Sequence, residues 1–178
     1  MEKWALEKEW LDTWAVHYQT GEKIPQEYIT KIHEAANFQS GYQNDRQLSF
    51  GLVDMAWHSV TSPVNGSIQA FENQAMAPTE SFLPVDSSCF STGFGHIFGG
   101  GYAAGYYSYK WAEVLDADAF SVFKQQGIYD QATAESFRKN ILEKGGSEHP
   151  MILYKRFRGQ EPTIDALLER SGLKSKSE

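Results

Sequence analysis

The sequence predicts an all-α protein, on three observations. Apolar residues recur at steps of three and four in one segment after another, the period of a helix with one buried face. No stretch alternates apolar and polar residues in the way a half-buried strand requires. Glycine and proline fall between the periodic segments, where they start or stop helices. About seven helices are expected, with no substantial sheet and no internal repeat.

Taken in order, Trp4, Trp10, Leu11, Trp14 and Tyr18 mark an amphipathic helix over 3–19, ended by Gly21. Pro25 suits a first helical turn, and 25–36 carries Tyr28, Ile32 and Ala36 at four-residue steps. Residues 41–45 are polar and loop-like. Residues 45–60 form a strong helical pattern with Leu48, Leu52, Met55 and Ser59 on one side. Thr61-Ser62-Pro63 and Asn65-Gly66 are turn signals, and Ser67 is placed to cap a helix over 68–77. From Pro78 to Gly95 the prolines and serines predict an irregular connector running over the surface to His96. Residues 102–123 should be the longest helix, ended by Gly127. Asp130 can cap the next, 131–144, which stops at Gly145-Gly146. Pro150 begins a short helix through Leu153, Tyr154 and Phe157, stopped by Gly159. Thr163 opens a last one with Ile164, Leu167 and Leu168, and 173–178 is a polar tail.

The 178 residues fit one domain, or one helical piece of a larger one, and 41% hydrophobic content is enough for a packed core. A net charge of −7 argues against nucleic acid as a partner. No apolar run approaches the ~20 residues a membrane helix needs, so no membrane partner is expected. One cysteine, Cys89, excludes an internal disulfide framework and fits a reducing compartment, so a cytoplasmic location is expected.

The chemistry concentrates between His96 and Trp111. Gly99-Gly100-Gly101 should be a loop, since three glycines in a row favour no regular element. After it, Tyr102, Tyr106 and Tyr109 are spaced four and then three apart, which puts them on one face of a helix. Such a stripe is more often core than site. Yet a buried phenol must find a hydrogen-bond partner, and the glycines let backbone approach a ligand closely. Tyr107 points elsewhere on that helix and reads as packing.

Other chemistry-bearing residues carry less. His33-Glu34-Ala35-Ala36-Asn37 begins like a His-Glu-x-x-His zinc motif, but Asn37 removes the second ligand one turn on. His58 has no carboxylate or histidine at a useful spacing and reads as packing. Cys89 with His96 lacks a third, orienting residue for thiol catalysis. Arg156 and Arg158 are candidates for binding a carboxylate by charge alone, and read as solvent-facing.

The run His96-Ile-Phe-Gly-Gly-Gly-Tyr-Ala-Ala-Gly-Tyr-Tyr-Ser-Tyr-Lys-Trp-Ala-Glu-Val-Leu115 resembles the C-terminal signature of the thimet oligopeptidase family (M3) of zinc metallopeptidases. Further segments agree in family order: Met1-Glu-Lys-Trp4, Ala35-Ala-Asn-Phe38, Asp54-Met-Ala-Trp-His58, Asp116-Ala-Asp-Ala-Phe120, Gly145-Gly-Ser147, Phe157-Arg-Gly-Gln-Glu-Pro162 and Asp165-Ala-Leu-Leu168. The spacing from His96 to Tyr102 is similar to the bacterial peptidyl-dipeptidase branch. The resemblance implies hydrolysis of short peptides at a zinc centre, with release of C-terminal dipeptides. It implies Tyr102 and Tyr109 as donors to the carbonyl oxygen, with His96, Tyr106, Gly100 and Gly101 binding the peptide, the glycines letting the loop close on it.

The same resemblance implies that the zinc ligands lie before Met1, so that no metal is held by this chain. The chain is then expected to be a fragment that needs an N-terminal remainder, is inactive alone, and dimerises through exposed apolar helix faces. The alternative is a non-enzymatic helical module that keeps a peptide groove.

Overall fold

Caps and breakers set many of the helix limits where the sequence puts them. The computed structural model describes residues 2–83 and 85–174. Its α-helices, in order, are Lys8–Leu11 (α1), Gln26–Ala36 (α2), Ser40–Ser59 (α3), Ile68–Met76 (α4), Gly95–Gly99 (α5), Ser108–Gln126 (α6), Gln131–Phe137 (α7), Pro150–Arg158 (α8) and Asp165–Arg170 (α9). The Ser67 hydroxyl accepts from the Ala70 N–H at 3.2 Å at the start of α4. The Asp130 carboxylate accepts from the Thr133 N–H at 2.6 Å at the start of α7, and that bond holds its carboxyl below the ordinary value. Gly159, at φ 82°, closes α8 in the left-handed conformation that glycine adopts freely. Among the described residues there is no strand, only an isolated bridge between Val16 and Lys23, so the protein is all-α.

Several limits move, for physical reasons. The expected helix over 3–19 is a 3-10 turn at Glu2–Leu6 and the short α1, parted by an extended Glu7. Trp4 donates its indole N–H to the Ile128 carbonyl at 2.9 Å and packs edge-on against Phe120 and Phe123. This long-range anchoring overrides the local helical pattern. The expected loop at 41–45 is helix: α3 starts at Ser40, and the Asn44 side chain donates to the Ser40 carbonyl. The longest helix is therefore α3, with 20 residues, and α6 starts at Ser108 instead of at 102. The 131–144 helix loosens after α7 into a π-turn at Arg138–Leu142. In the expected tail, Lys174 pairs with Asp165 at 2.6 Å, and 175–178 lie outside the described residues.

The chain divides into two compact units, Met1–Phe38 with Val114–Glu178, and Gln39–Glu113. In the first, Val114, Ala117 and Leu167 form a buried cluster. Asp118, 1% exposed, accepts from the Tyr154 hydroxyl at 2.6 Å and from Arg158 Nε at 3.0 Å.

In the second unit Val53, Phe94 and Ile97 are buried together, with Phe50, Trp57, Phe90, Tyr102 and Tyr106 packed around them. The apolar side read from the sequence is not the one that is covered: Leu48, Leu52 and Met55 are exposed. Nor does the whole connector run over the surface. Phe82, Leu83 and Val85 are exposed, whereas Ser91 and Phe94 are buried.

What draws the connector in is Glu72, only 2% exposed, whose carboxylate accepts from the N–H groups of Phe90 at 2.6 Å and Ser91 at 2.7 Å. Burial pushes the Glu72 carboxyl up, but the bonds from Ser91, Phe90 and Cys89 outweigh it and hold it below its ordinary value. A depressed carboxyl contributes stability that is present above its unfolded value and lost as pH falls through the folded one. Glu72→Gln is therefore expected to destabilise the chain by about 1–3 kcal/mol near pH 7. The difference from wild type should shrink as pH drops below about 4. Urea unfolding across pH checks this; a difference that stays constant with pH would refute it.

Candidate functional site

The site is built on Asp54 of α3, a fully buried carboxylate one residue from the core position Val53. Asp54 Oδ1 accepts from the Ala104 N–H and Oδ2 from the Tyr106 N–H, both at 2.9 Å. Satisfying two backbone donors with one charged group is a strong, charge-assisted arrangement. It also explains why α6 begins late. Ala104 takes φ 53°, a left-handed conformation that costs a non-glycine residue energy and interrupts a helix. The His58 Nδ1 lies 2.8 Å from Asp54 Oδ1 and hydrogen-bonds the Asp54 backbone carbonyl at 2.9 Å, one helical turn along α3. The expectation that His58 has no carboxylate at a useful spacing thus fails: Asp54, four residues earlier, is its partner.

The glycine loop is tied down too. Gly95–Gly99 is the short helix α5, and only Gly100 and Gly101 lie beyond it. The His96 carbonyl accepts from the N–H groups of Gly100 at 3.1 Å and Tyr102 at 3.3 Å, which folds the chain back on itself. A Cβ at position 100 would come within 2.9 Å of that same carbonyl oxygen, and Gly101 sits at φ 81°. Both positions therefore require glycine.

These constraints gather the four side chains singled out in the sequence. Ring centroids lie 5.9 Å apart for His96–Tyr102, 6.2 Å for His96–Tyr106, 6.2 Å for Tyr102–Tyr106 and 5.0 Å for Tyr106–Tyr109. Tyr102 and Tyr109 stack at 5.5 Å with 22° between their planes. They do not share a helical face as the spacing predicted: only Tyr109 lies in α6, and Tyr102 and Tyr106 come from the turns before it. Tyr102 and Tyr106 are half-buried against the core, while His96 is exposed and Tyr109 is 42% exposed. The cluster is thus supported from beneath and open above. A hydrogen bond with Tyr102, then burial, then the nearby phenols hold the Tyr109 hydroxyl above its ordinary value, so it keeps its proton beyond neutral pH. The arrangement can offer phenolic donors and an imidazole to a polar ligand.

The remaining candidates are placed elsewhere. Tyr107 is 60% exposed, with its backbone against Gly51. His33 and Glu34 on α2, and Asn37 at its C-terminal cap, are exposed. The Cys89 thiol donates to Glu72 at 3.7 Å. Arg156 makes a two-pronged pair with Glu148 at 2.8 and 2.6 Å. Arg158 is not solvent-facing, since Asp118 engages it through both oxygens.

Among the described residues no group of three or more His, Cys, Asp or Glu side chains could hold a metal ion. The donors of the described residues thus do not fit the zinc centre that the resemblance implies. Nor, among the described residues, is any helix long and apolar enough to cross a membrane.

The family model for Peptidase family M3 matches residues 1–173. Oligopeptidase A of Escherichia coli strain K12 is 47% identical over 175 residues, which cover 98% of this chain and 26% of that protein. Oligopeptidase A of Haemophilus influenzae is 44% identical over 178 residues, covering 97% of this chain and 26% of the relative. Dipeptidyl carboxypeptidase of Salmonella typhimurium is 38% identical over 174 residues, again 97% and 26%. The chain thus spans about a quarter of the length of the curated relatives it matches. A family match across nearly every residue, including the whole His96–Tyr109 cluster, shows that this chain belongs to Peptidase family M3.

Proposed function

We propose that this chain is the substrate-binding and oxyanion-stabilising portion of a zinc-dependent oligopeptidase that hydrolyses short peptides. The observation that carries the proposal is the gathering of His96, Tyr102, Tyr106 and Tyr109 around a tied glycine loop, with none of the three phenols buried. Tyr102 and Tyr109 donate to the carbonyl oxygen on which charge develops, and such donors act most strongly when fixed in advance. His96 and Tyr106, with the backbone at Gly100 and Gly101, bind the peptide. In this reading zinc is held by a part of the parent polypeptide outside these residues, which the relatives' greater length supports. That remainder packs on the exposed side of α3 at Leu48, Leu52 and Met55, and with this side uncovered the isolated chain self-associates. A cytoplasmic setting belongs to the same reading, supported by the free cysteine Cys89.

Release of C-terminal dipeptides is the narrower form. It needs a donor for the free carboxylate; Arg156 and Arg158 are both already paired, and in this reading a phenol of the cluster serves.

The test compares this chain with the full-length parent enzyme. The chain alone is expected to bind no stoichiometric zinc and cleave no peptide, and the full-length enzyme to do both. Peptides with free and amidated C-termini then show whether dipeptides are released. A full-length enzyme that binds peptide without cleaving it would favour the non-enzymatic module, and stoichiometric zinc on the isolated chain would overturn the division of roles.

A further inference from the structure

We propose that Asp54, braced by His58, is a positioning residue that holds the Tyr102–Tyr106 turn in the one conformation that brings the phenols together. The inference rests on the reading of the phenols given above. Its ground is a juxtaposition the sequence does not display. A carboxylate 50 residues from Ala104 and 52 from Tyr106 takes both of their N–H groups, one on each oxygen.

The side chain is fully buried, so no water competes for it, and a carboxylate without partners there would be very costly. Each of its oxygens meets a donor, so its orientation is fixed. His58 Nδ1 lies against the carboxylate, at 2.8 Å from Oδ1 and 2.9 Å from the Asp54 carbonyl oxygen that it bonds. The turn it holds contains Ala104 in the left-handed region, a conformation that persists only where surrounding bonds impose it. The two clamped N–H groups lie between Tyr102 and Tyr109. Releasing them lets the backbone from 103 to 107 relax toward ordinary helix, which swings Tyr102 away from Tyr109. Asp54 takes no part in chemistry. It acts through the backbone that carries them.

Asn is the informative replacement. It keeps size and one acceptor oxygen but turns an NH₂ toward a backbone N–H, so one of the two clamps must break. Asp54→Asn and His58→Gln are made in the full-length enzyme, with Tyr109→Phe as a companion. Hydrogen exchange is followed by mass spectrometry in the segment 103–107 and in the core segments holding Val53 and Ile97.

For Asp54→Asn, exchange at 103–107 is expected to speed up about tenfold while the core segments keep their protection. Per folded enzyme, kcat is expected to fall about tenfold with KM within about twofold, as befits donors displaced from the transition state. His58→Gln should give the same ordering at about threefold, and it carries the test if Asp54→Asn does not fold.

Unchanged exchange at 103–107 would overturn the proposal, as would an equal rise in the core segments, which would make Asp54 a folding residue only. A wild-type kcat in Asp54→Asn beside a lowered one in Tyr109→Phe would also overturn it. If Tyr109→Phe itself retains full kcat, the oxyanion reading has failed, and exchange at 103–107 then decides alone whether Asp54 fixes the turn.

Discussion

Tyr109→Phe in the full-length enzyme is expected to lower kcat about 10²–10³-fold with little change in KM, the loss typical of removing one donor from a developing oxyanion. Phenylalanine keeps the ring that stacks on Tyr102 at 5.5 Å, so the change removes a hydroxyl and little packing. Because that hydroxyl serves the transition state more than the bound substrate, the loss belongs in kcat. Tyr102→Phe is expected to behave likewise. The two should not be additive. The stacking of their rings at 5.5 Å makes each phenol's placement depend on the other, so the double variant should lose far less than the product of the singles. The raised Tyr109 hydroxyl adds a sign. Its donor form persists to higher pH than that of a free tyrosine, so activity should not decline through Tyr109 below about pH 10. Steady-state kinetics from pH 6 to about 10 check all of this. Wild-type kcat in both single variants, or an effect confined to KM, would remove the phenols from the chemistry.

How far this site was legible in the sequence depends on the range of the force that builds it. Local signals read well. Ser67, Asp130 and Gly159 cap and stop helices where their chemistry says, because a cap is decided within four residues. The grouping of His96, Tyr102, Tyr106 and Tyr109 was legible, but for a partly wrong reason. The spacing implied a helical face, while the rings meet through a turn that Asp54 imposes from another helix. Nothing near position 104 announces a left-handed alanine. The one available hint was Asp54 and His58 four apart in a helical pattern, the spacing at which side chains meet. Glu72 was missed in the same way: a single acid in the apolar stretch of α4 reads as solvated until the connector is seen to wrap it. The tryptophan segment misled most, since its periodicity was real but Trp4 is claimed by the Ile128 carbonyl far along the chain.

Asp118→Ala is expected to destabilise the unit containing it by about 3–5 kcal/mol, because it strips the carboxylate from Arg158 and from the Tyr154 hydroxyl, whose remaining acceptor is the Leu115 carbonyl at 3.5 Å. Asp118 is 1% exposed on α6, and its Oδ2 takes both the Tyr154 hydroxyl, at 2.6 Å, and Arg158 Nε, at 3.0 Å. Burial, and then the bond to Asp118, push the Tyr154 hydroxyl far above its ordinary value, so it is a committed donor. With the carboxylate gone, a half-buried guanidinium loses its partner and a buried phenol keeps only the long bond to the Leu115 carbonyl. If that is the cause, the cost must depend on the partners. Asp118→Leu combined with Arg158→Leu and Tyr154→Phe should recover most of the lost stability, since an apolar replacement of a buried polar set is often neutral. Urea unfolding of wild type and these two variants reads this directly, with a difference under about 1 kcal/mol for Asp118→Ala refuting it. The same geometry separates structure from function at Arg158. An arginine held by Asp118 through both oxygens is not available to a peptide's terminal carboxylate. Arg158→Ala should therefore lower stability and leave KM for free-carboxylate peptides unchanged, whereas a rise in KM for those peptides alone would return Arg158 to the substrate.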